Sequence, residues 1–195
     1  FRKIVRHGNS PSTYWWEVTD KNGVRYFCGG DPTNGRLTSA TLADAAGNVF
    51  KWAVTEVRDL DGNSMRYGYQ KVSDFGVANG SVAGTQLYLR DINYTGSNGA
   101  TGAYTVTFYR DSESAGYTRR PDVIIDARGG FKQVTAELLK RIDVTFNSEL
   151  VRRYELGYNE NPYNDNRPGT AFNKTLLTSV SQFGADQQLF NTHTF

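Results

Sequence analysis

The sequence predicts an all-β protein: an antiparallel meander of successive β-hairpins, forming a curled sheet or sandwich-like domain with little helix. Three observations carry this expectation. The first is composition. The 195 residues include 12 Tyr, 11 Phe and 20 Gly but one Met, which suits pleated strands and tight turns better than helices. The second is patterning. Tyr104, Val106 and Phe108 alternate with Thr105 and Thr107, the period of two that a half-buried strand requires. The third is a recurring turn chemistry, clearest at Asp59-Leu-Asp-Gly-Asn63. Aspartate and asparagine bond their own backbone in such a turn, and glycine adopts left-handed geometry without a Cβ penalty.

Phe1 to Arg6 alternates weakly and leads into a loop over 7–11. Tyr14 to Thr19 and Val24 to Cys28 form a first hairpin about Asp20-Lys-Asn-Gly23, anchored by Trp15, Val18, Tyr26 and Phe27. After the breaker-rich loop 29–35, Leu37 to Leu42 predicts a weak strand. Asp44-Ala-Ala-Gly47 repeats the turn chemistry and runs into Val49 to Trp52. The stretch from Trp52 to Tyr69 then reads as two short strands flanking the Asp59–Asn63 turn, with Val54, Val57, Tyr67 and Tyr69 on a half-buried surface.

Residues 73–85, rich in Gly, Ser and Ala, predict a flexible loop. Gln86 to Tyr94 and Ala103 to Arg110 are strands about the glycine-rich turn 95–102. Val123 to Ile125 predicts a short buried segment. Gln133 to Val144 reads mostly as strand despite the helix-favouring Ala136-Glu-Leu-Leu-Lys140, and Leu150 to Tyr158 is its partner across Asn147-Ser148. A polar loop over 159–172 carries Pro162 and Pro168. Leu176 to Phe183, a turn at 184–186 and a strand from Phe190 complete the chain. The hairpin centres recur at intervals of roughly 40 residues, without the fixed period of a solenoid. The expectation is one β-rich domain over 1–195, or a fragment of a larger protein. The chain opens on Phe1 without an initiator Met and stops in a strand-like segment, so any targeting signal is expected outside it.

Charge narrows the functions. The net charge is +2, from 22 basic and 20 acidic residues. That leaves no electrostatic footprint for nucleic acid and no polybasic cluster for a membrane surface. No apolar run approaches the roughly 20 residues of a membrane helix, so direct membrane insertion is not expected. Cys28 is the single cysteine. It excludes an intrachain disulfide and reads as a small, partly buried side chain near a strand end.

Candidate chemistry is sparse. Asp59, Asp61 and Asn63 have the alternating oxygens that open a calcium loop, but an EF-hand needs a bidentate Glu at its twelfth position, and counting from Asp59 places Gln70 there. The turn reading is therefore favoured over a metal site. Glu56, Asp59, Asp61, Glu137 and Glu155 offer carboxylates, yet nothing in the sequence pairs two of them across a cleft as glycoside hydrolysis requires. His7 and His193 lie at opposite ends, without metal-ligand spacing or a triad. No phosphate-binding motif follows Gly29-Gly30 or Gly129-Gly130, and no cofactor is expected. Trp15 and Trp16 are adjacent, so on a strand one faces the core and the other does not. The outward one is a candidate for an interface with a neighbouring domain or for stacking on a glycan.

An ordered set of phrases resembles one family. It includes Trp16-Glu-Val-Thr-Asp-Lys-Asn-Gly23 followed by Phe27; Val57-Arg-Asp-Leu-Asp-Gly-Asn63 with Tyr67-Gly-Tyr69; Leu89-Arg-Asp-Ile-Asn-Tyr94; Val106-Thr-Phe108; Leu139-Lys-Arg-Ile142; Leu150-Val-Arg-Arg-Tyr-Glu-Leu-Gly-Tyr158; and Leu176-Leu-Thr-Ser-Val-Ser-Gln-Phe-Gly184. Together they resemble the N-terminal domain of the SpvB family, shared with the B component of bacterial insecticidal toxin complexes. The Asp-x-Asp-Gly-Asn and Tyr-x-Tyr phrasing is also similar to the YD repeats of Rhs proteins. The resemblance implies a secreted bacterial protein and a non-enzymatic domain. That domain would build part of a β-rich shell around a C-terminal toxin. Its partners would be other domains of its parent chain and toxin-complex components. The enzyme of SpvB proteins is a separate downstream domain, and Asp111-Ser-Glu-Ser114 does not match its Glu-x-Glu motif. The glycine-rich 73–85 stretch and the 159–172 loop depart from the family pattern and leave the host protein open. The competing reading is a carbohydrate-binding β-sandwich of a secreted or surface protein.

Overall fold

The computed structural model describes residues 1–44, 46–113, 120–159 and 174–195. Eleven strands form one open, antiparallel sheet. In chain order its first half is β1 (Lys3–His7), β2 (Trp15–Thr19), β3 (Arg25–Cys28), β8 (Val54–Arg58), β9 (Asn63–Asp74) and β10 (Gly84–Ser97). The second half is β11 (Tyr104–Arg110), β14 (Leu139–Phe146), β15 (Glu149–Tyr158), β16 (Leu177–Phe183) and β17 (Leu189–Thr194). Every strand pairs with the next in that list, so the sheet is a simple meander and does not close into a barrel. Three two-stranded ribbons complete the fold: β4 (Gly30–Asp31) with β5 (Gly35–Arg36), β6 (Thr41–Ala43) with β7 (Val49–Trp52), and β12 (Ile124–Asp126) with β13 (Gln133–Thr135). The all-β meander expected from the sequence is the observed fold.

Four local expectations are corrected. Leu37 to Leu42 is not a strand: Thr38–Ala40 forms a 3-10 turn, and β6 starts only at Thr41. Trp52 does not open the long hairpin but ends β7 in a separate ribbon. The 73–85 loop is shorter, because Asp74 pairs with Gly84 and Ser73 with Thr85 at the tip of β9–β10. Ile124 and Ile125 are exposed rather than buried, at 54% and 44%; β13 contributes the buried Val134 instead. The 159–172 loop lies, apart from Asn159, outside the described residues.

Two hairpin turns of the main sheet and the turn of the β6–β7 ribbon share one bonding pattern. Asp20, Asp44 and Asp59 each start a five-residue turn with glycine at the fourth position. In each, the glycine N–H donates to the aspartate carbonyl, at 3.1, 3.0 and 3.4 Å, and the aspartate N–H donates to the fifth residue's carbonyl at 3.0 Å. The aspartate Oδ1 accepts the fifth residue's N–H at 3.1, 2.8 and 2.8 Å. Gly23, Gly47 and Gly62 all adopt φ between 82° and 87°, where a Cβ would be strained. This is the three-residue hairpin with an αL glycine bulge, which matches the natural strand twist.

Strand register divides the main sheet into two unlike faces. On one, Glu17, Phe27, Glu56, Arg66, Asn93 and Thr105 are successive cross-strand partners. On the other, Tyr67, Ile92, Val106 and Val144 form an apolar row. Tyr94, Tyr104 and Phe146 form an aromatic row beside it, with ring centroids 5.1 and 4.8 Å apart. The β6–β7 ribbon packs on the apolar face, where Leu42, Ala53 and Leu87 are buried with Tyr69 and Phe131 against them. Gln86 and Tyr88 point the opposite way and hold the 133–137 segment: the Gln86 amide donates to Thr135 Oγ1 at 2.6 Å, and the Tyr88 hydroxyl accepts the N–H of Ala136 at 3.1 Å.

Candidate functional site

Trp15 and Trp16 sit on opposite faces of β2, as strand alternation demands. Trp15 is buried at 6% exposure. Its ring stacks on His7 at 3.9 Å with 9° between planes and tilts against Phe27 at 6.3 Å. His7 in turn meets Glu17 at 3.2 Å. Trp16 is half-buried and meets Trp52 edge-on at 5.8 Å. Trp52 is fixed by its indole N–H, which donates to the Tyr14 carbonyl at 2.8 Å. The tryptophans therefore join the flanking ribbons to the sheet, and of the two it is Trp16 that retains accessible surface.

Asp59, Asp61 and Asn63 occupy the turn between β8 and β9. The Asp59 carboxylate is engaged locally: Oδ1 accepts the N–H of Asp61 at 3.0 Å and of Asn63 at 2.8 Å, while Oδ2 accepts the Asn63 amide at 2.8 Å. The Asn63 side-chain bond, with the backbone N–H groups, holds the Asp59 carboxyl below the usual carboxylate range. Asp44 is lowered in the same way by Asn48. Among the described residues, no three His, Cys, Asp or Glu side chains group as a metal site would require. Asp59→Ala is expected to lower Tm, and Asp61→Ala to leave it unchanged. A calcium site at this turn predicts instead a calcium-dependent rise in Tm that both substitutions remove, so thermal scans with and without calcium separate the two.

The other candidate carboxylates do not converge. Glu56 is 5% exposed and is matched by Arg58 at 2.5 Å and Arg66 at 3.6 Å. Glu137 is held by Arg110. Glu155 lies five strands from Glu56, about 24 Å at the usual strand spacing. It lines an open cleft of about 470 Å³ on the polar face, together with Tyr109, Glu113, Arg141, Ser179 and Ser181. Beside the cleft, Arg153 forks onto Asp143, with Nε at 2.8 Å and Nη2 at 2.9 Å. Arg141 lies 3.9 Å above the Tyr109 ring. Basic and acidic side chains are interspersed here: Lys140 and Arg141 line the cleft with Glu113 and Glu155, and Glu113 is paired with Arg90 at 3.2 Å. Sequence reading missed Arg110, Asp143 and Arg153, because Glu137 lies 27 residues from Arg110 and Arg153 ten from Asp143, and only the folded strands bring them together.

Burial pushes the Cys28 thiol up, the opposite of what a reactive thiolate needs. Burial, with a smaller contribution from Tyr67, pushes Tyr69 up to about 12; its hydroxyl donates to the Val54 carbonyl at 2.7 Å. At Asp122, burial works to raise the carboxyl. Hydrogen bonds from Arg120 Nε at 2.9 Å and from Thr175 Oγ1 and N–H at 2.6 and 3.1 Å outweigh it and hold the group well below the usual range. A depressed folded pKa gives stability that is full above the unfolded value of about 4 and is lost as pH falls below it. Urea midpoints measured from neutral to acid pH should therefore fall more steeply below about pH 4 in the wild type than in Asp122→Asn.

These features define an open β-meander domain whose polar groups serve turns and cross-strand pairs. The chain belongs to the SpvB family: the family model described as Salmonella virulence plasmid 65kDa B protein matches residues 2–131. Among curated proteins none matches it in sequence. Solved structures share the fold. The N-terminal domain of effector protein SpvB from Salmonella typhimurium strain LT2 aligns with a TM-score of 0.72 at 20% identity, over 94% of this chain and 65% of that one. TcdB2-TccC3-Cdc42 aligns with a TM-score of 0.70 at 15% identity, over 97% of this chain and 10% of that one. The Photorhabdus luminescens Tc holotoxin pore aligns with a TM-score of 0.68 at 15% identity, again over 10% of the longer chain. The chain thus spans about two thirds of the SpvB domain structure and a small part of the toxin chains.

Proposed function

We propose that this chain is a non-enzymatic structural domain of a secreted bacterial toxin protein. Its role is to build part of a β-rich shell around a C-terminal toxic segment and to dock against neighbouring domains. The observation that carries the reading is that almost the whole meander superposes on a portion of much longer toxin-complex chains. The site geometry supports it. The buried carboxylates of Glu56 and Asp143, and the partly buried one of Glu137, are each neutralised by arginine, which suits structural stapling better than proton transfer. Trp16 and the exposed apolar side chains of the sheet are the candidate contacts with neighbouring domains; Asp59, Asp61 and Asn63 shape a turn.

Protease protection in the intact gene product tests the shell role. With residues 1–195 present, the downstream segment should resist digestion, and deleting them should expose it. Equal resistance in both forms would sink the proposal. An oligosaccharide array probes the carbohydrate-binding alternative: saturable binding lost in Trp16→Ala would favour that reading, although the Trp15 ring face is already occupied by His7.

A further inference from the structure

We propose that the pocket between the 8–13 loop and the 35–38 segment is a carboxylate-binding site centred on Arg36. Such a site does not depend on the shell role. The pocket is open, has a volume of about 500 Å³ and is lined by Ser12, Thr13, Trp15, Arg36 and Thr38 among others, a size within the range of small-ligand sites. Arg36 ties its two walls together. Nη1 donates to the Ser12 carbonyl, and Nη2 donates to Thr41 Oγ1 at 3.3 Å. Nε is buried and, among the described residues, has no hydrogen-bond partner. A guanidinium carries five N–H donors, so most of the donor capacity of Arg36 is unused.

The charge of Arg36 is also unmatched. Among the described residues, every other arginine that is not exposed meets a carboxylate oxygen at 3.9 Å or less. Arg36 is half-buried and meets only a carbonyl and a hydroxyl. A water molecule would satisfy an N–H there but would not neutralise the cation, and a partly desolvated charge without a counter-charge is costly. The neighbouring Lys71 adds to the imbalance: burial first, and then Arg36, push its ammonium group down. An anion in the pocket relieves both.

The walls select the kind of anion. The N–H groups of Asn9 and Ser10 donate to Thr13 Oγ1 at 3.2 and 3.1 Å, and that of Thr13 donates to the Ser10 carbonyl at 2.9 Å. These donors are spent within the loop and do not form the nest of free N–H groups that cradles a phosphate. Trp15 is 6% exposed with His7 stacked on it, so it offers no open ring face to a sugar. What remains is a guanidinium with unused donors beside hydroxyl groups, the chemistry that holds a carboxylate. The source is either the acidic side chain of a polypeptide or a free organic acid.

Nitrogen-edited NMR spectra of the 195-residue chain test this during titration with sodium acetate, a blocked tripeptide with a central glutamate, its glutamine counterpart, and inorganic phosphate. The expected result is a saturable shift of the Arg36 Nε–H and Trp15 indole resonances with a carboxylate. The glutamine peptide should bind about tenfold more weakly or not at all, as loss of a hydrogen bond to a charged group implies. A glutamate peptide that binds more tightly than acetate assigns the site to a polypeptide side chain; acetate that binds as tightly assigns it to a free acid. Arg36→Gln should abolish the Trp15 shift. Because Arg36 also ties Ser12 to Thr41, Thr38→Phe is the second variant: it fills the pocket from an exposed side chain and should abolish the shift with Arg36 in place. No saturable shift, equal binding of the glutamine peptide, tighter binding of phosphate than of either carboxylate, or binding that survives both substitutions would each overturn the proposal.

Discussion

Arg110→Ala should destabilise the domain by about 3–5 kcal/mol, the usual consequence of removing one partner of a buried ion pair. Arg110 ends β11 and is 3% exposed. Its guanidinium meets Glu137 through Nε, Glu113 at 3.1 Å and the Gln70 side chain. It also lies 5.1 Å above the Tyr88 ring. The Tyr88 hydroxyl accepts the N–H groups of Ala136 and Glu137. One arginine therefore connects β9, β10, β11 and the segment leading into β14. Removing it leaves Glu137, whose side chain is 10% exposed, without its counter-charge in a poorly solvated site. The remedy is as informative as the lesion. Arg110→Met combined with Glu137→Leu removes both charges, and such replacements are commonly neutral or stabilising. Urea denaturation measures all three proteins. A loss below about 1 kcal/mol for Arg110→Ala would mean that burial of Val134 and Ala136 and the hydrogen bonds to Gln86 and Tyr88 hold the segment without the ion pair.

What was legible in the sequence is what local chemistry determines. The Asp20, Asp44 and Asp59 turns could be read because their bonds span four residues or fewer. The strands of the second half could be read because Tyr104 to Phe108 alternates without interruption. Leu37 to Leu42 misled because its apolar residues suit a strand, while Ala40 is pinned by backbone bonds to Leu37 and Ala53 that belong to a 3-10 turn and a crossing chain. Val123 to Ile125 misled because apolar character was equated with burial; on a two-stranded ribbon only one side finds a partner. The cross-strand clamps were illegible for a different reason. Arg153 and Asp143 are ten residues apart, and they meet only because β14 and β15 share a register that depends on a bulge after Val144. Periodicity places a residue on a face but does not say which residue stands opposite.

Phe27→Ala should cost about 3–5 kcal/mol, as truncations of fully buried aromatics do. Phe27 has no exposed surface. It stands in the cross-strand row between Glu17 and Glu56, with Trp15 against it and the guanidinium groups of Arg25 and Arg58 at 5.7 and 5.3 Å from its ring centre. The truncation removes more than buried area. Two cations lose the ring face they lie over, and Trp15 gains a void on one side, so its fluorescence should shift as the indole meets water. Phe27→Leu should cost less, because most of the volume is retained. The site shares no partner with Arg110 and lies four strands away, about 19 Å at the usual spacing. The two losses should therefore add within about 0.5 kcal/mol in the double variant, provided the eleven strands unfold as one cooperative unit. Two separated transitions in the double variant would show instead that the tryptophan-stapled half and the arginine-stapled half of the sheet melt independently, and each loss would then appear only in its own transition.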